Sequence, residues 1–295
     1  MTVLEAIQKS ADFLGKKGVE SARLNAELLL AHQLHLPRMK LYLNFERVLT
    51  VAETDGLRDL VKRRAAREPL QHITGSTSFC GCEINVSRHA LVPRPETELL
   101  AEAGWQFLLA APNQSEGGST LNAQPSTALD FGTGTGCIAI ALAVKCPEAR
   151  VAALDISADA LALARQNAEQ NNVAGQITFF QGDGFAALPT SSRFDLIISN
   201  PPYIAAAEIE TLSPEVRDYD PRLALDGGAD GLHFYRRLAG EAGSFLKPAG
   251  KIMLEFGDGQ AESIQAIFET EKWIVEAVKE DYSQRARILV ASFNR

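Results

Sequence analysis

From residue 128 onward, the chain alternates short apolar segments with longer segments of helical periodicity. The segment ALDFG at 128–132 precedes the helical pattern CIAIALAVK, and VAALDI at 151–156 precedes ADALALARQNAEQN. Further strand-like segments are ITFFQGD, FDLIISN, GKIMLEFG, WIVEAV and RILVASF, with helices predicted around 231–246 and over 259–270. This alternation predicts an α/β fold whose mostly parallel sheet is covered by helices on both faces. We expect the short last strand, after a turn at DYSQ, to be antiparallel and to lie at an edge.

The first 75 residues have a different character and predict a small helical domain. Two segments, VLEAIQKSADFL and ARLNAELLLAHQL, carry apolar residues at helical spacing. A third helix is predicted to begin at Thr50, with Glu53 completing a capping box. It ends at a basic run formed by Lys62, Arg63, Arg64 and Arg67. This run either complements the helix dipole on a solvated face or forms a docking surface for a partner.

The segment between these two parts predicts a connecting hairpin. Residues 76–92 are rich in β-branched and aromatic residues around Gly81. We therefore divide the chain into a helical domain at 1–75, a β-hairpin linker at 76–93 and an α/β domain at 94–295. Residues 111–127 are small and polar and predict a mobile surface loop, in which the glycosylation triplet at 113–115 is a chance match.

Charge and composition exclude several function classes. The net charge is −8, but residues 1–75 carry 12 Lys and Arg against 9 Asp and Glu, so the remainder is strongly acidic. An acidic main domain argues against binding of nucleic acid through its phosphates. The 4 cysteines include no C-x-x-C pair, which disfavours a zinc site, any other metal site or a disulfide framework. No signal peptide or membrane span is apparent, so we expect a cytoplasmic protein.

A glycine-rich loop follows the first strand of the α/β domain and is the first candidate binding site. Its sequence is DFGTGTG, and its candidate ligand-binding residues are Gly132, Thr133, Gly134, Thr135 and Gly136. The spacing does not match the G-x-G-x-x-G pattern of dinucleotide-binding proteins. We expect the carboxylate of Asp130 to lie beside the ligand, where it would repel a pyrophosphate and favour a cationic ligand. S-adenosylmethionine, with its sulfonium and amino groups, has that character; a structural turn is the alternative.

Two further acidic residues follow the next two strands. Asp155 ends its strand about 20 residues after the glycine-rich loop, the sequence spacing at which an acidic side chain accepts hydrogen bonds from ribose hydroxyls. In the segment GDGF, Asp183 could hold an adenine amino group, and its neighbour Gly184 would border the ring. The alternative for this second segment is a simple Asp-Gly turn.

The fourth strand runs directly into Asn200-Pro201-Pro202-Tyr203, the predicted catalytic and substrate-binding segment. The Asn200 side-chain oxygen and the Pro201 carbonyl are two acceptors for one NH2 group, and the prolines hold the second acceptor rigidly. Tyr203 offers a flat face for a planar group. These parts suit methylation of an amide or aromatic amine nitrogen, because two acceptors on its protons leave its lone pair facing the methyl donor. Asn200 would also contact the cofactor.

Together these motifs resemble the class I S-adenosylmethionine-dependent methyltransferases, and more narrowly the release-factor glutamine methyltransferases of the HemK-like family. The resemblance rests on the segments PRPETE at 93–98, DFGTGTG at 130–136, NPPYI at 200–204, DPRLAL at 220–225 and LEFG at 254–257. It implies a Rossmann-like, mostly parallel seven-stranded sheet preceded by a small helical domain and a hairpin linker.

The resemblance also implies an activity, a cofactor and a partner. The activity is methylation, from S-adenosyl-L-methionine, of the glutamine side-chain amide in the Gly-Gly-Gln loop of peptide chain release factors. The partner is the release factor, contacted by the helical domain. Two departures stand out. Gly184 lies where an aromatic residue is common over the adenine, so either Phe185 substitutes for it or the ring is less covered. Asp220 replaces the usual Glu before Pro221.

Several alternatives share these motifs. A glutamine methyltransferase acting on a ribosomal protein would share nearly all of them. An N6-adenine or N2-guanine nucleic-acid methyltransferase would use the same NPPY segment, but the acidic domain disfavours it. A non-catalytic S-adenosylmethionine-binding module and a dehydrogenase fit less well. For Arg94, Glu96 and Glu98 a buried structural network competes with direct contact, and Glu255 at a strand end is expected to be structural.

Overall fold

The computed structural model describes residues 1–110 and 125–294, which divide into two compact units. The first unit comprises Met1–Ser76 with Ser213–Tyr219, and the second comprises Thr77–Leu212 with Asp220–Arg295. Most of the predicted loop at 111–127, including its glycosylation triplet, lies outside the described residues. The functional division at residues 75 and 93 stays a prediction.

The first unit is helical, as its periodicity predicts. Its helices are α1 (Val3–Lys16), α2 (Ala22–Gln33), α3 (Arg38–Tyr42), α4 (Val51–Ala65) and α5 (Leu70–Thr74). The predicted capping box at the start of α4 is present: Thr50 Oγ1 accepts from the Glu53 amide at 3.2 Å, and the Glu53 carboxylate accepts from the Thr50 amide at 2.9 Å. One hydrophobic core joins α1, α2 and α4.

The basic run at the end of α4 is used within this unit. Arg64 is buried and donates to Asn25 Oδ1 at 2.8 Å, and both Arg64 and Arg67 donate to the Glu215 carboxylate, at 2.9 and 2.6 Å. Arg63 pairs with Glu68 at 2.6 Å. The arginines thereby attach the segment Ser213–Tyr219 to the helical unit, which favours the structural interpretation over a docking surface.

The second unit contains the remaining elements. Its strands are β1 (Ser76–Phe79, beginning at the boundary), β2 (Cys82–Asn85), β3 (Thr127–Phe131), β4 (Arg150–Asp155), β5 (Ile177–Gln181), β6 (Phe194–Ser199), β7 (Leu246–Glu255), β8 (Trp273–Glu280) and β9 (Ala286–Phe293). Its helices are α6 (Thr97–Ala110), α7 (Cys137–Lys145), α8 (Ala158–Gln170), α10 (His233–Glu241) and α11 (Ala261–Thr270), while α9 (Pro214–Arg217) belongs to the first unit. Within the described ranges, no helix has both the length and the apolar content needed to cross a bilayer.

The seven-stranded sheet confirms the predicted α/β fold. Its strand order is β5-β4-β3-β6-β7-β9-β8, and β3 to β7 pair in parallel. The predicted edge position of the last strand is wrong: β9 is antiparallel, but it lies between β7 and β8. Its central residues Leu289, Val290 and Ala291 are buried, and burying them requires neighbours on both sides. The edge strand is β8.

The β1–β2 hairpin packs into the core of the second unit. Phe79, Cys82 and Ile84 are buried in the same cluster as helices α6 and α7. The buried side chain of Asn167 on α8 completes the attachment, because it accepts from the Asn85 amide at 2.9 Å and donates to the Asn85 carbonyl at 3.0 Å. The same amide group donates to the Thr135 carbonyl at 2.9 Å, so it also supports the glycine-rich loop.

Replacing Asn167 by Ala is expected to lower the free energy of unfolding of the second unit by about 3 kcal/mol, because three buried backbone groups lose their partner. Both tryptophans, Trp105 and Trp273, lie in this unit, so urea unfolding followed by tryptophan fluorescence measures it. The control is Gln166→Ala on the exposed side of the same helix, expected within about 0.5 kcal/mol of the unaltered protein. Equal effects of the two changes would contradict the role of Asn167.

Candidate active site

One large cleft opens at the carboxyl ends of β3, β4, β5 and β6, where open α/β sheets bind their ligands. The cleft and the open solvent at its mouth together comprise about 1190 Å³. Ten of the twelve residues that the sequence predicted for the site line this cleft: Gly132, Thr133, Gly134, Thr135, Asp155, Asp183, Gly184, Asn200, Pro201 and Pro202. The other two, Gly136 and Tyr203, lie outside its lining.

The glycine-rich loop needs its glycines for backbone conformation. Gly132, Gly134 and Gly136 have φ of +75°, +55° and +81°, a region that side chains with a Cβ rarely adopt. A Cβ at Gly136 would lie 3.0 Å from the Cβ of Ala164, so this glycine permits close packing of the loop on α8. A Cβ at Gly132 would meet no atom within 4 Å. Gly132 therefore leaves space in the cleft, whereas Gly136 serves the fold.

Four of the five amide groups of the loop Gly132–Gly136 are already bonded within the protein, the Gly134 amide to Asp155 Oδ2 at 2.8 Å. The amides of Gly132 and Thr133 donate to the Leu154 carbonyl at 2.8 and 2.9 Å, and the Gly136 amide donates to the Thr133 carbonyl at 2.8 Å. A phosphate-binding loop instead directs free amides at its ligand. This loop is therefore unsuited to a pyrophosphate.

Asp130 also makes the loop unsuited to a pyrophosphate, but not in the predicted way. The carboxylate is fully buried and does not line the cleft, so the prediction that it lies beside the ligand is wrong. Its Oδ2 accepts from the Thr133 hydroxyl at 2.6 Å and from the Ala139 amide at 3.1 Å. A side-chain carboxylate thus occupies the amino-terminal end of α7, where an anionic ligand would otherwise be stabilised. Burial raises the pKa of Asp130 to about 7.

Asp155 lies at the cleft surface at the end of β4. Its Oδ2 accepts from the Gly134 amide at 2.8 Å, and its Oδ1 accepts from the Ser157 amide at 2.9 Å. Each carboxylate oxygen has a second lone pair, so both can accept from hydroxyl groups of a ligand as well. Burial raises the pKa of Asp155, and the backbone hydrogen bonds oppose that shift.

Arg237 on α10 forms the cleft wall beside Asp183 and Gly184. Its guanidinium pairs with the Asp183 carboxylate and donates to the Asp183 carbonyl at 2.9 Å. A Cβ at Gly184 would lie 2.6 Å from the Arg237 Cζ, so the guanidinium fills the space that a side chain at position 184 would take.

Phe185 does not supply a cover for the cleft. Its ring is buried, stacks on Phe245 with centroids 4.8 Å apart and contacts Phe131. The short 3-10 turn at Gly184–Ala187 directs this side chain into the core. Of the two alternatives for position 184, cover by Phe185 is therefore excluded, and the Arg237 guanidinium occupies the space beside Gly184.

The segment that follows β6 presents an acceptor to the cleft. Asn200 Nδ2 donates to the Thr97 hydroxyl at 3.1 Å. Within residues 1–110 and 125–294, no group donates to Asn200 Oδ1 or to the Pro201 carbonyl. Both oxygens belong to residues that line the cleft; that they accept hydrogen bonds from a ligand there stays a prediction.

Tyr203 lies behind this segment and not on the cleft lining. A Cβ at Gly257 would meet its ring at 2.9 Å, so the ring packs closely on that glycine. Burial raises the pKa of Tyr203 to about 12. The hydroxyl therefore stays protonated, and contact of the ring with a substrate stays a prediction.

The loop at 225–231 holds the backbone of this segment in place. The Ile204 amide donates to the Leu225 carbonyl at 3.0 Å, and the Gly227 amide donates to the Ile204 carbonyl at 2.8 Å. A Cβ at Gly227 would lie 2.9 Å from the Pro202 carbonyl oxygen, so only glycine permits this approach. The position of the acceptors is therefore fixed from outside as well as by the prolines.

Three important residues of the site were not predicted for it: Arg94, Thr97 and Arg237. Arg94 pairs with the buried carboxylate of Asp220 at 2.6 Å, which links the PRPETE and DPRLAL segments at one side of the cleft. Those two motifs were the available sequence signal for Arg94 and Thr97. Arg237 lies in an ordinary helical pattern and carries no such signal. The described residues include no cluster of side chains suited to holding a metal ion.

Comparison with known proteins identifies the family. Residues 5–75 match the family model of the PrmC N-terminal domain, and residues 118–215 match that of the methyltransferase small domain. Among solved structures, the catalytic domain of hMettl16 in complex with the MAT2A 3'UTR hairpin 6 aligns with a TM-score of 0.54 over 80% of this chain and 83% of that chain. Its sequence identity is 15%, so this likeness concerns the fold alone.

Two curated relatives carry the same name, release factor glutamine methyltransferase. The protein of Geobacter sulfurreducens is 44% identical over 267 residues, which cover 90% of this chain and 88% of that protein. The protein of Chlorobaculum tepidum is 42% identical over 265 residues, covering 88% and 87%. Identity at this level across both units confirms the family that the motifs predicted: the chain belongs to the release factor glutamine methyltransferases.

Proposed function

We propose that this chain transfers a methyl group from S-adenosyl-L-methionine to the side-chain amide nitrogen of the glutamine in the Gly-Gly-Gln loop of peptide chain release factors. Family membership supports the reaction type and the substrate. The observation that carries the proposal is the placement of Asn200, whose Nδ2 is held by Thr97 while its Oδ1 is left as an acceptor at the cleft. An acceptor there suits the NH2 group of an amide.

The cleft fits a cationic nucleoside without phosphates. Four of the five loop amides are bonded internally, and the Asp130 carboxylate occupies the amino-terminal end of α7. We assign the loop Gly132–Thr135 to the amino-acid part of the cofactor, with Gly136 shaping the loop. Asp155 would accept from the ribose hydroxyls, and Asp183 and Gly184 would border the adenine. When bound, the cofactor supplies an electrophilic methyl group on a sulfonium.

The residues of this chain would then prepare the amide nitrogen. That nitrogen is a poor nucleophile because its lone pair is delocalised into the carbonyl. Asn200 Oδ1 and the Pro201 carbonyl would accept hydrogen bonds from its two N–H groups, which favours a pyramidal nitrogen and directs the lone pair into the cleft. Pro202 keeps the segment rigid, and Tyr203 would support the planar amide. As the new N–C bond forms, the bond between the methyl carbon and the sulfonium sulfur breaks, leaving a neutral thioether, and one of the two amide protons leaves to solvent. No residue of the chain has to form a covalent bond, so its contribution is positioning and electrostatics.

We assign contact with the release factor to the helical domain at 1–75, connected through the hairpin at 76–93 to the methyltransferase domain at 94–295. The excess of acidic residues after position 75 disfavours nucleic acid as the substrate. A cytoplasmic location, where release factors act, belongs to the same proposal.

The test uses the purified chain, methyl-labelled S-adenosylmethionine and purified release factors, unaltered and with the glutamine of the Gly-Gly-Gln loop replaced. Label on the unaltered factor only is the expected result. Label that persists after the replacement would overturn the target residue. Parallel reactions contain ribosomal proteins or nucleic acid in place of the release factor. Label on ribosomal proteins but not on release factors would establish the ribosomal-protein alternative, and label on nucleic acid alone would establish the nucleic-acid alternative.

Replacing Arg237 by Ala is expected to weaken cofactor binding about 5- to 10-fold, because the guanidinium forms the cleft wall over Gly184 and a stacked guanidinium contributes about 1 kcal/mol. Calorimetric titration with S-adenosylmethionine measures the dissociation constant. Arg236→Ala is the matched control, since the neighbouring Arg236 is exposed, pairs with Asp230 at 2.6 Å and does not line the cleft. An unchanged dissociation constant for R237A would remove Arg237 from the cofactor site.

A further inference from the structure

Asn200 is connected to a buried carboxylate that the reaction itself does not require. Glu255, the last residue of β7, is 3% exposed. The side chains of Thr97 and Asn200 both face its carboxylate, and hydrogen bonding by each lowers the pKa of that group. Since Asn200 Nδ2 also donates to the Thr97 hydroxyl at 3.1 Å, the three side chains form one polar cluster beside the cleft.

Strand pairing brings these residues together. β6 and β7 are parallel neighbours with Ser199 opposite Leu254, so the next residues along both strands are Asn200 and Glu255. Thr97 reaches the same place from the first turn of α6 and is 2% exposed. The cluster is therefore positioned by the sheet and by one helix, and not by mobile loop segments.

Glu255 is not part of a saturated structural ion pair. Within the described residues its Oε2 has no hydrogen-bond partner. Arg287, the cation whose charge acts on Glu255, pairs with Asp281 at 3.2 Å. A buried carboxylate without a bonded cation is costly for stability, which points to a role other than stabilising the fold.

The chemistry of the cluster restricts the orientation of the Asn200 amide. An ionised carboxylate only accepts hydrogen bonds, and a Thr hydroxyl that donates to it presents lone pairs to other groups. The Glu255 carboxylate and the Thr97 hydroxyl oxygen therefore both favour the orientation in which Nδ2 of Asn200 faces them. If the amide turned by 180°, its Oδ1 would face the carboxylate and the hydroxyl oxygen. Its NH2 group would then face the cleft, where it cannot accept a hydrogen bond from the NH2 group of another amide.

We infer that Glu255 and Thr97 are positioning residues that hold the Asn200 amide with Oδ1 toward the cleft. The inference rests on the proposed function, because only binding of a substrate NH2 group requires an acceptor at that place. It assigns a function to Glu255, for which the sequence predicted a structural role.

A protonated Glu255 would no longer fix the orientation of the Asn200 amide, since a carboxylic acid can donate a hydrogen bond as well as accept one. Burial raises the pKa of Glu255 to about 7, against the hydrogen bonds from Thr97 and Asn200; the charge of Glu96 raises it further and that of Arg287 lowers it. The other titratable groups near it are Tyr203 and Tyr235, whose own pKa values burial raises. Turnover is therefore expected to fall as the pH decreases through about 7.

The test compares Glu255→Gln, Thr97→Val and Thr97→Ser with the unaltered enzyme, using Glu96→Gln as the exposed control from the segment next to Thr97. At pH 8, E255Q and T97V are each expected to lower kcat about 10- to 100-fold, with the KM for release factor and the cofactor dissociation constant changed less than about 3-fold. T97S and E96Q are expected to stay within about 3-fold of unaltered kcat. E255Q is expected to lose the decrease in turnover below pH 7.

A second measurement does not depend on the substrate. The side-chain amide signals of Asn200 in a 15N-labelled protein, assigned by their absence in Asn200→Ala, are expected to shift in E255Q and T97V but not in E96Q. Unaltered kcat in E255Q, or unaltered amide signals in both variants, would overturn the inference. If the unaltered enzyme labels no release factor, the proposed function fails by itself, and the amide signals still decide whether Glu255 and Thr97 orient Asn200.

Discussion

Replacing Asn200 by Ala is expected to lower kcat for methylation of release factor by about 10²- to 10³-fold, the loss typical of removing one preorganised hydrogen-bonding group from a reacting centre. The change removes the side-chain acceptor at the cleft and leaves the Pro201 carbonyl as the remaining one. It also removes the donor that Thr97 and Glu255 bind, but it opens no large cavity. Single-turnover kinetics with saturating cofactor measure the effect on the chemical step.

Folding and cofactor binding are the controls for this variant. The melting temperature is expected to change by only a few degrees, and the dissociation constant of S-adenosylmethionine by less than about 10-fold, because most of the predicted cofactor contacts lie on the loops after β3, β4 and β5. Turnover of N200A within 3-fold of the unaltered enzyme would contradict the assignment of Asn200 as the amide acceptor. A loss confined to cofactor affinity would place Asn200 in the cofactor site instead.

Replacing Gly231 by Ala is expected to lower kcat by about 10²-fold without touching a residue of the cleft lining. A Cβ at this position would lie 2.7 Å from Gln260 Nε2 and closer still to the Tyr203 carbonyl oxygen. Gln260 Nε2 itself donates to that carbonyl at 2.9 Å. The added methyl group therefore has to displace the backbone of Tyr203, and a displacement of about 1 Å at a reacting centre costs about 10²-fold in rate.

The chain offers a close control for this change. Gly231 has φ of +75° and Gly259 has φ of +76°, so Ala pays the same backbone penalty at both positions, about 1–2 kcal/mol. A Cβ at Gly259 would meet no atom within 4 Å. Gly259→Ala is therefore expected to lower the melting temperature while kcat stays within about 3-fold. Equal kcat losses in the two variants would attribute the effect to backbone strain rather than to displacement of the Tyr203 backbone.

The fold was predictable because its signals are local. Alternating strand and helix patterns required a covered parallel sheet, and the Thr50 capping box marked the start of α4. The position of β9 was not predictable in the same way. Its apolar sequence suits any buried strand, and only its pairing with both β7 and β8 places it inside the sheet.

The candidate site was predictable where it lies on strand ends. Loops that follow parallel strands meet at one edge of the sheet. The sequence therefore predicted that one site would contain Gly132, Asp155, Asp183 and Asn200. Side-chain direction was not predictable. Asp130 and Phe185 each adjoin cleft residues, but both turn into the interior, Asp130 to bond the loop and α7, and Phe185 to pack against Phe245.

The sequence by itself determined the main strands and helices of the α/β unit, the loops that carry the site and the family, because periodicity, glycine spacing and the NPPY segment are properties of neighbouring residues. Tertiary structure alone decided the partners of those residues. Thr97 is 103 positions from Asn200, and Arg237 is 54 positions from Asp183. No local pattern encodes such pairs. They form because packing of the helices on the sheet brings distant polar groups together in a region shielded from water, where polar groups are hydrogen-bonded to one another.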